Sequence, residues 1–231
     1  MSSDEIAEFI FQINRFSGVP GILFFIGFLL KKKGNIRIVF YVLLASLLAD
    51  TAIHYYTKYV YPNSHLIGTI WVITDYFLVS WMFLKLLAHK KKIILILLSV
   101  FAVGSTISMV FFFSLTESNT FIKSYPSVVF TYLSIIAFIE ILKVGPTNKL
   151  IEYPIFWIIT AIFLFSSITL LKNLFQYYLI FDLQVSKDLY LYVWFFGVGF
   201  NMIKNLLFFY AFILVWKGNP DYISLPKNVT S

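Results

Sequence analysis

Residues 154–180 read PIFWIITAIFLFSSITLLKNLFQYYLI, an unbroken apolar run that carries one charged side chain, Lys172. At about 1.5 Å per residue, a helix of this length spans the roughly 30 Å hydrocarbon core of a bilayer. Its polar members, Ser166, Thr169, Lys172, Asn173 and Gln176, recur at helical spacing and make one stripe on an otherwise greasy cylinder. The pattern predicts a transmembrane helix with a polar face turned toward other helices. Comparable stretches lie at 11–30, 38–56, 67–87, 93–115, 125–142 and 189–216. In the first, Asn14, Arg15 and Pro20 interrupt the pattern, and Pro20 beside Gly21 predicts a kink or a late helix start.

Composition agrees. Of 231 residues, 60% are hydrophobic and 13% charged, about half the charged share of ordinary soluble domains. One soluble core of this size has no room for so much Phe, Leu, Ile and Tyr. The expected fold is therefore all-α: a polytopic membrane bundle of seven transmembrane helices forming one domain over 1–231, with residues 217–231 as a short tail. The chain has no cysteine, which excludes disulfides, thiol catalysis and cysteine metal sites. The acidic start, with Asp4, Glu5 and Glu8, is unlike the basic opening of a cleaved signal peptide.

Net charge is +7, but the basic residues fall in short runs between apolar segments, such as Lys31 to Lys33 and Lys90 to Lys92. Such runs orient a membrane protein and meet anionic headgroups, whereas a nucleic-acid reader needs a basic face on a folded domain. The expected partner is therefore the lipid bilayer, with no nucleic acid. Assigning the lysine-rich loops to the cytoplasm puts the N-terminus outside and the C-terminus inside, in a multi-pass protein of the cell membrane. Tyr55, Tyr56, Tyr59, Tyr61, Tyr177, Tyr178, Tyr190 and Tyr192 then mark the outer interface, and Tyr153, Trp157 and Trp216 the inner one.

An ionisable group inside a span costs about 3 kcal/mol on insertion scales, so each such group needs a reason. The second span carries Ser46, Asp50 and His54 on one face, the third Asp75, and the seventh Asn201, Lys204 and Asn205 aligned with Gly197. Counting residues inward puts Asp50, Asp75 and Lys172 at one depth, roughly 10 Å in, with Lys204 nearer the midplane. The expectation is a polar cavity or ion-pair network in the outer half, built from Asp50, His54, Asp75, Lys172, Asn173, Gln176, Asn201, Lys204 and Asn205. The competing explanation is structural, because buried charges pair and Asn, Ser and Thr tie helices together. Lys85 and Glu140, near the cytoplasmic ends, fit snorkelling, and Gly104 to Ser108 fits close helix packing.

No nucleophile elbow, phosphate loop or zinc-protease helix is present. Asp50 with His54 has the spacing of two metal ligands, to which His65 or Asp75 could add. With histidine scarce and no recognised metal motif, a hydrogen-bonded Asp–His pair fits better, and no metal is expected. Seven helices with a lysine midway along the last are similar to retinal proteins, in which Lys204 would form the Schiff base and Asp75 would be counter-ion. The third span lacks the neighbouring arginine usual in microbial members, so no cofactor is the primary expectation.

His65 ahead of Asp75, Phe156-Trp157 at the head of the sixth span, and the run from Asn201 through Lys204 and Asn205 to Phe208 resemble a loose group of uncharacterised bacterial seven-helix membrane proteins. The resemblance implies the topology but no assigned activity. Some of its members accompany signalling kinases, which implies a sensory role and a membrane signalling partner. The function expected is a small-molecule or lipid sensor, or an accessory signalling subunit. A small transporter or proton pathway on the same charges is the alternative. A lipid-modifying enzyme, with Asp50 or Asp75 as base and Lys172 stabilising an oxyanion, is a third.

Overall fold

The computed structural model describes residues 3–30, 36–59, 65–111, 120–144, 147–181 and 187–218, and within these it is helical with no strand. Without water, backbone N–H and C=O groups must bond within their own segment, and helices achieve this span by span. The helices are α1 (Ser3–Phe16), α2 (Val19–Phe24), α3 (Ile36–Tyr59), α4 (His65–Leu86), α5 (Lys91–Phe111), α6 (Thr120–Val144), α7 (Pro154–Phe181) and α8 (Lys187–Trp216). Seven stretches among the described residues are long and apolar enough to cross a bilayer, the first combining most of α1 with α2 and the π-helical turn Phe25–Leu29. The chain is thus a multi-pass membrane bundle. The expected tail from residue 219 onward lies outside the described residues, as do Lys31 to Lys33.

The first span is broken rather than bent. α1 stops at Phe16, and the Ser17 hydroxyl and N–H both donate to the Asn14 carbonyl, at 2.6 and 3.1 Å. The chain restarts at Val19, so Pro20 sits in the opening turn of α2, where a missing N–H leaves no bond unmade. Gly18 and Gly21 let this segment lie close to α3. A Cβ on Gly21 would stand 3.2 Å from Leu43 Cδ1 and 3.6 Å from Phe212 Cε2.

α7 packs along both α6 and α8, α3 lies along α4, and α4 also meets α5 and α6. Small residues such as Ala137, Ala161 and Ala211 are fully buried, which lets backbones approach closely where no hydrophobic effect drives helices together. Aromatic clusters help fill the interior. Phe25 stacks on Phe40 with centroids 4.4 Å apart and touches Phe212. Tyr76 packs on Phe101 and Phe130, and the hydroxyls of Tyr76 and Tyr125 both donate to the Leu97 carbonyl at 3.1 Å, tying α4 and α6 to α5. The outside is equally apolar: Leu48, Ile96, Val103, Leu174 and Leu206 are among the many large side chains exposed there. Bare to water this surface would be untenable; against acyl chains it is the expected one.

The two ends differ. One gathers Arg37, Lys90, Lys91, Lys92, Lys143 and Lys217, with Lys85 lying over the Trp81 ring at 4.7 Å. There Glu140 does more than reach for the interface, since it pairs with Lys143 at 3.4 Å and His89 at 3.5 Å. The other end carries Tyr55 stacked on Tyr59, with Lys58 beside them.

Candidate functional site

Five helices line an open cavity of about 200 Å³. α3 supplies Ser46 and Asp50, α4 supplies Trp71 and Asp75, α7 supplies Phe165, Thr169 and Lys172, α8 supplies Gly197, Val198, Asn201 and Lys204, and α1 adds Asn14. On each of α3, α4, α7 and α8 most of these residues stand three or four apart, so each helix turns one stripe inward.

Lys204 is the central charge. It is 6% exposed, and its Nζ lies 4.2 Å from the centroid of the Phe165 ring, a cation–π contact. Its charge acts on both Asp50 and Asp75, and the Arg15 guanidinium acts on Asp50 as well. Among the described residues, none of the four charged cavity side chains is within ion-pair distance of an opposite charge. The charges thus face a shared space and are not collapsed onto one another.

Lys172 is seated differently from the expectation. Instead of pairing with a carboxylate among the described residues, it lies across Gly197 of α8, where an added Cβ would come within 2.8 Å of its Cδ and 3.7 Å of its Nζ. Counting residues gives height along a helix but not which neighbour the side chain faces. The dense packing of α7 on α8 decides that here.

Of the expected site residues, Asp50, Asp75, Lys172, Asn201 and Lys204 meet in the cavity. Asn201 also donates to Asn14 Oδ1 at 2.8 Å. His54, one turn beyond Asp50, stacks on Phe11 of α1 and does not line the space. Asn205 donates to Ser17 Oγ at 2.7 Å, and Asn173 donates across to the Lys123 carbonyl of α6 at 3.3 Å. Those two are ties between helices. The side chains of Gln176 and His65 lie outside the described residues. Among the described residues no three His, Asp or Glu side chains gather as a metal set.

Sequence reasoning passed over Asn14, Trp71, Phe165 and Val198 as site residues. Asn14 was visible only as an interruption of the first span, and an amide in that position was the signal. The aromatic rings carried no signal, because a fifth of the chain is Phe, Trp or Tyr.

Comparison with protein-family models, curated proteins and solved structures gave no match, so function rests on the cavity itself.

Proposed function

We propose that this chain is a membrane sensor or accessory signalling subunit, in which the cavity binds a small polar molecule or a lipid headgroup and helix movements carry the event to the lysine-rich end. One observation supports this best: Asp50, Asp75, Lys172 and Lys204 surround a cavity without pairing directly. Charges kept in a bilayer only to lock helices would be expected to close onto each other, because each carries a desolvation cost that direct pairing offsets. In this reading the lysine-rich end faces the cytoplasm and the cavity opens in the outer half. The polar lining suits a polar ligand better than a polyene. In this reading a partner protein carries the signal onward.

The test is purification from crosslinked native membranes in a non-ionic detergent. A protein partner should accompany the wild-type chain, and the yield of crosslink should change in Asp75→Asn and Lys204→Met. A wild-type chain recovered alone under the same crosslinking would overturn the reading.

A broken helix beside the cavity favours a second reading, transport. Discontinuous spans recur where transporters hold their substrates near the membrane midplane, and the gap between α1 and α2 borders the cavity wall at Asn14. Flux into proteoliposomes that Asp75→Asn or Lys204→Met abolishes would establish transport in place of sensing.

A further inference from the structure

The cavity's charges divide into two groups. Lys204 acts on Asp50 and on Asp75, with Arg15 adding positive charge beside Asp50. Lys172 stands apart from them. Among the described residues no carboxylate comes within ion-pair distance of it, and the charge it acts on from α6 is another cation, Lys123. An ammonium inside a span with no carboxylate at hand among the described residues is costly, so something must offset the arrangement.

Its seat is also specific. Gly197 presents no side chain, and the Lys172 stem occupies the space a Cβ would fill. On α8 the next inward positions are Asn201 and Lys204, one and two turns along. The lysine is therefore laid along the cavity wall across a glycine, where an added Cβ would force its stem to shift, with an amide donor and a second amine ahead of it.

We propose that Lys172, laid across Gly197, is the anchor for an oxyanion group, carboxylate or phosphate, on the molecule the cavity accepts. This rests on the ligand-binding reading above and gives it a chemical class. The cavity has room on the order of six waters, at about 30 Å³ each. That suits a small anion or the phosphate of a lipid headgroup, the rest of the lipid remaining among the acyl chains. The ammonium supplies charge, and Asn201 supplies a hydrogen-bond donor.

The test is calorimetric titration of the purified chain in an uncharged maltoside detergent with four probes: inorganic phosphate, acetate, short-chain phosphatidylglycerol below its micelle concentration, and methylammonium. Saturable binding of phosphate or acetate, weakened tenfold or more by Lys172→Gln and by Gly197→Ala and kept within a few-fold by Lys172→Arg, supports the proposal with a free anion as ligand. The same pattern confined to phosphatidylglycerol supports it with a lipid as ligand. Should Gly197→Ala not fold, Lys172→Gln against Lys172→Arg carries the decision. Anion binding indifferent to Lys172→Gln overturns the anchor. Methylammonium binding alone, lost in Asp75→Asn, overturns the anchor but leaves a ligand-binding cavity standing. No binding of any probe overturns both.

Discussion

A single amine holds the balance of the cavity. Lys204 is the cation that acts on both Asp50 and Asp75, and it is almost wholly buried beneath the Phe165 ring. Removing it leaves two carboxylates in a poorly solvated space. Breaking a buried charge constellation by one member costs on the order of 3 kcal/mol, mostly from the charge left behind. Lys204→Met should therefore destabilise the bundle by about that amount in mixed-micelle unfolding. Combining it with Asp75→Asn should recover part of the loss, with a coupling energy of at least about 1 kcal/mol. Additive losses would show that the two residues do not share a network. By contrast His54, one turn along α3 from Asp50, stacks on Phe11. His54→Phe keeps a flat ring there and should leave both stability and ligand binding nearly unchanged, as thermal unfolding and the phosphate titration would report.

Between elements, the join of the broken first span to α8 is a two-rung ladder: Asn201 to Asn14 of α1, and Asn205 to Ser17 in the break. Interhelical hydrogen bonds in membranes contribute about 0.6 kcal/mol each on average, since the alternative state also finds partners. Asn205→Ala should thus cost about that much, and nothing further in a Ser17→Ala background. The two glycine contacts behave oppositely. At Gly104 an added Cβ would meet the ring tip of Phe121 at 2.6 Å, but that residue is 40% exposed and can swing toward lipid. At Gly21 the neighbours are Leu43, which is buried, and Phe212, which has no freedom to retreat. Unfolding measurements should find Gly104→Ala within about 0.5 kcal/mol of the parent, and Gly21→Val worse by about 2 kcal/mol, the usual range of overpacking.

For the whole molecule, the decisive property is which way the bundle sits in the membrane. Lysine at one end and tyrosine at the other make the proposed orientation testable, and the absence of cysteine makes the test simple. In intact cells a membrane-impermeant maleimide should label Lys58→Cys. It should reach Lys91→Cys only after permeabilisation. Labelling of Lys91→Cys in intact cells would invert the bundle and place the Lys172 end of the cavity toward the cytoplasm.

What could be read from the chain alone was everything set by solvent and by axial rise. Long apolar runs need lipid, one helix is the cheapest way to bond their backbones, and seven such runs emerge as seven candidate spans. The rare charges also announced themselves, because any ionisable group there is costly. Asp50, Asp75, Lys172, Asn201 and Lys204 do line one cavity. Azimuth and neighbour choice were not legible. Nothing in the spacing says that His54 would turn to Phe11, that Asn173 and Asn205 would be spent on Lys123 and Ser17, or that Asn14 would join the cavity wall. Those outcomes depend on which helices pack and how each is rotated, and packing in lipid is decided by close contacts between small residues and by pairwise polar ties. Only the assembled bundle holds that information.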